Sequence, residues 1–306
     1  MESREPFSIL GLEGQPFGLF RQLPEQQLRL VCHMDLVLGD LHAQLERPQT
    51  RKFAWPIVVL PELFTTSRHL TMMAGHLVSL GWEVYLLDVH PPIMRASAKN
   101  DPSADAFCAL AAGIRKALDA IGSDIIAAGH GLGGLLALKV AEAPPVRAAV
   151  ALAPLIPGFR SPLFVRRRRW ASWRSESTGL PTRRMVLELV SEAEPFQRES
   201  IIKALTPVDT SAATEVARGA VEFVVHPTPR LIIAGEADTF APWQEAEQLA
   251  TKIGARFISL PGRGHWIIAG RTLERTVAQM QRFLVRALGE ELLLLYPEPD
   301  GGDVQG

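Results

Sequence analysis

Cysteine is scarce: Cys32 and Cys108 are the only two in 306 residues. Two thiols cannot build a disulfide framework, and no CxxC motif or Cys/His cluster suggests a metal. Net charge is also missing, since 32 Lys+Arg face 33 Asp+Glu for a formal −1. That balance removes any overall attraction to nucleic acid or anionic lipid. No apolar run reaches the roughly 18 residues needed to span a bilayer. The opening MESREPFSIL is charged and broken by Pro6, so it lacks the apolar stretch of a signal peptide. What is abundant is hydrophobic material, at 47% of the chain, enough for a large buried core. The expectation is a soluble, cytoplasmic, globular protein, with no metal, no cofactor and no nucleic-acid partner. Length alone gives a soft prior of two domains at about 150 residues each.

From Pro56 onward short β-branched runs alternate with longer helical stretches. Strands are expected over residues 56–60, 83–88, 124–129, 147–152, 230–234 and 256–260. Helices are expected over 68–80, 102–121 (with Ser103 as N-cap), 132–143, 243–253 and 272–288. Strands alternating with helices of this length imply βαβ units and a parallel sheet covered on both faces. Three segments break the rhythm. Residues 1–55 carry one alternating stretch, 28–38, which reads as an antiparallel strand or hairpin at the sheet edge. Residues 155–226, rich in Arg and Pro, are helical in pattern and read as an insertion over the sheet. Residues 291–306 have little apolar material and read as a disordered tail.

The most informative stretch is Ile125-Ile126-Ala127-Ala128-Gly129-His130-Gly131-Leu132-Gly133-Gly134, a strand, a tight turn and a helix. Two motifs share this architecture. One is the dinucleotide fingerprint G-x-G-x-x-G, matched by Gly129, Gly131 and Gly134. It calls for a carboxylate at the end of the next strand, and that strand ends Ala151-Leu152-Ala153-Pro154. A nucleotide-dependent oxidoreductase is therefore the remote reading. The other motif is the nucleophile elbow G-x-S-x-G, which is followed by an acid and then a histidine after later strands. Asp238 sits in Gly235-Glu236-Ala237-Asp238 and His265 in Gly264-His265, each after a strand.

On these residues the chain resembles the α/β-hydrolase superfamily over about residues 56–290. The resemblance implies a mostly parallel eight-stranded sheet with helices on both faces. It divides the core into residues 56–154 and 227–290, places an inserted helical cap at 155–226, and puts a pocket between sheet and cap. It assigns His265 and Asp238 as the base and its orienting acid. It gives the oxyanion donors as the backbone N–H groups of Leu132 and Leu63, and substrate contacts to His130, Phe64 and Trp266. A small acyl or ester-type ligand follows from the same resemblance.

The departure lies at the nucleophile. The family's Ser, Cys or Asp would stand at position 131, where this chain has Gly131. Loss of such a serine costs on the order of 10⁶ in turnover, because the triad acts as a unit. A second departure is Glu62, in Leu60-Pro61-Glu62-Leu63-Phe64, where the oxyanion turn often carries glycine. Glu62 either reaches into the space left by the missing hydroxymethyl, as a replacement acid/base, or faces solvent. Four functional readings remain. They are noncovalent acid/base catalysis by His265–Asp238, a non-catalytic binding protein, an ester or thioester hydrolase inactivated by an engineered serine-to-glycine change, and the oxidoreductase. His130 reads as structural, and Ser67 as a cap for the helix after it. Arg166-Arg167-Arg168-Arg169-Trp170 reads as a solvated charge run or as an attractor of an anionic substrate or acidic partner. Trp170 and Trp173 read either as anchors of the insertion on apolar surface or as residues at a membrane interface.

Overall fold

The computed structural model describes residues 32–89, 105–159, 161 and 180–293. Arg166–Arg169, Trp170, Trp173 and the start of the 28–38 stretch lie outside the described residues. Eight strands form one sheet: β1 (Cys32–Leu38), β2 (Leu41–Arg47), β3 (Ile57–Leu60), β4 (Val84–Leu87), β5 (Ile125–His130), β6 (Val146–Leu152), β7 (Arg230–Gly235) and β8 (Arg256–Leu260). Their order is β1-β2-β4-β3-β5-β6-β7-β8. The pairs β1–β2 and β2–β4 are antiparallel and all others parallel. The edge stretch is thus one arm of a hairpin.

The central strands read as continuous apolar runs because both faces are covered. On β3, Val58 and Leu60 join one hydrophobic layer while Ile57 and Val59 join the other. Strand β5 divides the same way, Ile125 and Ala127 against Ile126 and Ala128. Helices α1 (Thr71–Ser79), α2 (Ala106–Ile121) and α3 (Leu132–Val140) connect the first parallel strands. Between β6 and β7 come three shorter ones, α4 (Arg183–Leu189), α5 (Pro195–Ala204) and α6 (Ser211–Arg218). Then follow α7 (Trp243–Ile253) and α8 (Gly270–Leu288). Along α8 the buried residues Leu273, Val277, Met280 and Leu284 form one stripe, the helical spacing that seats it on the sheet.

Several expectations need correction. The helix expected over 68–80 is split: a short 3-10 turn, Ser67–His69, precedes α1. Ser67 is not its cap; Thr66 holds that position, and the Ser67 N–H instead donates to Asp88 Oδ1 at 2.6 Å. Helix α2 is capped by Asp105, whose side chain accepts from the Cys108 N–H, not by Ser103. Asp is as good an N-cap as Ser and lies closer to the apolar stripe. The chain also stays ordered past residue 290. Leu292 is fully buried, its carbonyl accepts from the Ala54 N–H at 2.8 Å, and Leu293 bridges to Phe53. Of the expected tail, Leu292 therefore joins the core, and 294–306 lie outside the described residues.

Helix α3 approaches the sheet at glycines. A Cβ on Gly129 would overlap the Gly133 carbonyl, and one on Gly133 would overlap the Leu60 and Pro61 carbonyl oxygens. Backbone neighbours cannot swing aside as side chains do. Gly133→Ala should cost about 2–3 kcal/mol of unfolding free energy by overpacking, read from the urea midpoint. A cost under ~0.5 kcal/mol, the level of a neutral surface change, would contradict this packing.

Candidate active site

Four polar side chains converge at the carboxyl ends of the parallel strands, where α/β sheets place their ligands. Glu62 follows β3, His130 ends β5, Asp238 follows β7 and His265 follows β8. Glu62, His130 and His265 are no more than 1% exposed, so the cluster is closed to solvent.

The elbow itself is intact. Gly131 has φ +53° and ψ −116° and starts α3, and its N–H donates to the Leu152 carbonyl at 2.9 Å. This is a conformation that costs a side-chain-bearing residue about 1–3 kcal/mol and that glycine adopts freely. Glu62 points inward, which removes the solvent-facing alternative. Its Oε1 accepts from the Leu63 N–H at 2.6 Å and from the Leu132 N–H at 3.0 Å. Those are the two donors expected to form the oxyanion hole. Both donate to the chain's own carboxylate. The other oxygen, Oε2, lies 3.0 Å from His265 Nε2. A Cβ built on Gly131 would fall closer to Oε2 than a C–O bond length. One carboxylate therefore takes the places expected for both the oxyanion and the nucleophile. Glu62 can take this seat only because residue 131 has no Cβ.

His265 is held from its far side. Its Nδ1 lies 2.8 Å from Asp238 Oδ2, while Asp238 Oδ1 accepts from the Phe240 and Ala241 N–H groups at 2.7 and 3.0 Å. Asp238 and His265 thus meet as the order of the motifs implied. The difference is at Nε2: the nitrogen expected to act as a base already faces a carboxylate. Burial alone would push the imidazole down. The Asp238 carboxylate, then Glu62, outweigh it and raise His265 to about 10. For Glu62, burial pushes upward, but the hydrogen bond and charge of His265 leave it below its ordinary range. At neutral pH the centre is an imidazolium between two carboxylates, and such a histidine cannot accept a proton.

His130 is structural in placement. Its Nε2 donates to the His265 carbonyl at 3.0 Å, and its ring meets His265 and Trp266 edge-on. Burial, and then the His265 charge, push it down to about 4. Trp266 is fully buried against it, and Phe64 is 4% exposed with φ +67°. Neither presents a free face for substrate. The Phe64 carbonyl instead accepts from the Thr206 N–H at 2.9 Å, which ties the oxyanion turn to the segment carrying α4–α6.

One contributor was not legible in the sequence. Glu192, after α4, accepts from the Gly264 N–H at 2.9 Å and from the Thr272 hydroxyl at 2.9 Å, and pairs with Arg263. It fixes the turn that delivers His265. No local signal marks it, because its partners come from the β8–α8 connection and the first turn of α8.

The cluster predicts a pH optimum. His265 is raised above 6.5, so its stabilisation is complete below pH 6.5 and is lost as pH climbs through about 10. His130 is depressed to about 4, so stability falls from pH 6.5 toward 4 as only the unfolded chain takes up that proton. Glu62, held below 4.5, adds to the acid loss beneath that value. The melting temperature should peak near pH 6.5 in scanning calorimetry, and Asp238→Asn should flatten the alkaline limb. An alkaline limb unchanged in that variant would contradict the ion-pair assignment.

The chain belongs to the alpha/beta hydrolase family, whose profile matches residues 54–279. Solved structures of the same fold include a monoacylglycerol lipase from Paleococcus ferrophilus, at 20% identity and TM-score 0.59 over 81% of this chain and 99% of that one. A thermophilic esterase from Thermogutta terrifontis aligns at 17% identity and TM-score 0.56, over 84% and 99%. A serine hydrolase from Cycloclasticus zankles aligns at 13% identity and TM-score 0.59, over 84% and 98%. No curated protein matches the sequence. Among the described residues no helix is long and apolar enough to cross a membrane.

Proposed function

We propose that this chain has given up the covalent acyl transfer of its family and uses the fold for noncovalent recognition of a small acyl or ester-type ligand. One observation carries the reading: the Glu62 carboxylate occupies both the oxyanion hole and the nucleophile's place. An acyl group would need both. The mutual fit of Glu62 and Gly131 also speaks against a laboratory serine-to-glycine change, since a serine could not coexist with Glu62 as seated. The ligand class rests on the esterases and lipases that share the fold. By its charge alone, the run Arg166–Arg169 favours an anionic ligand.

A second reading is noncovalent acid/base catalysis of hydrolase or lyase type. The 2.8 Å His265–Asp238 contact supports it. It requires Glu62 to swing out of the oxyanion hole, freeing Nε2. Treatment with a fluorophosphonate probe and an activated p-nitrophenyl ester tests the first reading. No covalent adduct and no turnover above the rate in buffer are expected. Turnover abolished by His265→Ala, without adduct, would replace the first reading by the second. A covalent adduct would overturn both.

A further inference from the structure

We propose that Glu62 Oε2, His130 Nδ1 and His265 Nε2 bind one divalent transition-metal ion of the zinc type. The three atoms lie within 4.8 Å of one another and all three residues are buried. Oε2 is 3.0 Å from His265 Nε2 and 3.9 Å from His130 Nδ1. Bonds of about 2.0–2.2 Å to a zinc ion set ligand atoms roughly 3–4 Å apart, so small movements close the cluster on an ion.

An independent observation comes from His130. Its Nε2 bonds a carbonyl, which can only accept, so Nε2 carries the hydrogen. Its Nδ1 then presents a lone pair, and this buried atom has no hydrogen-bond partner. It faces Oε2, which also has only lone pairs to offer. Oε2 already accepts from His265 Nε2, so the unmet group is His130 Nδ1, whose missing bond leaves about 1–3 kcal/mol unsatisfied. A cation shared with Oε2 gives Nδ1 the partner it lacks.

The surroundings have the form that metal sites take. Ligating histidines donate their other N–H to a carboxylate or a backbone carbonyl, which fixes ring and tautomer. Here His265 Nδ1 meets Asp238 Oδ2 at 2.8 Å, and His130 Nε2 meets the His265 carbonyl at 3.0 Å. Every ion pair drawn to Glu62 or Asp238 among the described residues comes from a histidine. A dication balances these two carboxylates and displaces the hydrogen on His265 Nε2 to solvent. Two imidazoles favour zinc or a neighbouring transition metal over magnesium or calcium. The ligands come from three different strand ends, so no spacing motif announces them. The inference goes beyond the reading under Proposed function and does not depend on it.

The test uses the full chain, dialysed against a chelator and titrated with Zn²⁺, with Co²⁺ as a spectroscopic probe. One ion per chain is expected. Glu62→Gln and His130→Ala should each weaken binding at least ~100-fold, more than the ~10–100-fold typical of losing an outer partner, which is the range expected for Asp238→Asn. His33→Ala, which removes a surface histidine paired with Glu46, should leave binding unchanged. Histidine ¹⁵N spectra of the unaltered chain guard against variants that fail to fold. One equivalent of Zn²⁺ should shift His130 Nδ1 and His265 Nε2. Absence of stoichiometric binding, affinity retained in both first variants, or unmoved ring nitrogens would each overturn the proposal. Ester turnover is read separately, so either conclusion can fail alone.

Discussion

Gly131→Ser alone should not give an esterase, whereas Glu62→Gly combined with Gly131→Ser should. The single change puts a side chain where Glu62 Oε2 lies. The carboxylate cannot remain in the oxyanion hole without overlapping it, and expelling a buried charge from its partners is costly. The serine would meet either a clash or a displaced, unpaired carboxylate, and in neither case an open hole. Removing Glu62 at the same time frees the Leu63 and Leu132 N–H groups and returns His265 Nε2 to solvent or to serine. With Asp238 still on Nδ1, the base regains its function. A burst of p-nitrophenol near one equivalent per chain is expected from the double variant. The Gly131→Ser and Glu62→Gly single variants should show none. The triad as a unit supplies on the order of 10⁶ in rate, so a small fraction of that would be visible. Activity in the Gly131→Ser variant equal to the double would mean that Glu62 leaves the hole at negligible cost. The idea of a locked centre would then fail.

The sheet was largely readable from the chain because its strands carry the signal themselves. Strand β8 and helix α7 fall at the expected residues, and β7 runs one residue longer. Strand β2 was missed. LHAQLER does alternate Leu41, Ala43 and Leu45 with polar His42, Gln44 and Glu46, but it has no β-branched or aromatic residue, and pairing with β1 and β4 decides it. At the site, Asp238 and His265 were legible because motif order encodes them. For Glu62 the sequence left two places open, inward or to solvent, because the choice depends on the space at Gly131, far along the chain and on another strand. Glu192 was invisible for the same reason. Local patterns specify elements, while the occupancy of the centre is set by contacts between loops that only the closed sheet brings together.

Asp238→Ala should be among the most destabilising single changes in the molecule. The carboxylate accepts two backbone N–H groups and pairs with a buried imidazolium. Truncation strands all three at once, and breaking a buried ion pair by removing one partner typically costs about 3–5 kcal/mol. Asp238→Asn separates charge from shape. Its side-chain oxygen can still accept from Phe240 and Ala241, and its amide faces Nδ1 of a histidine that must then be neutral. His265 can keep an Nε2–H donated to Glu62 in that tautomer, so one hydrogen bond to the oxyanion-hole carboxylate survives. The Asn variant should therefore lose roughly half as much as the Ala variant, by the ~1.5–3 kcal/mol usual for a hydrogen bond to a charged group. Urea midpoints at pH 6.5 give both values. A loss under ~1 kcal/mol for Asp238→Ala, the range of an exposed pair, would show that the imidazolium is not held between two carboxylates. The pH optimum proposed above would then have to come from other groups.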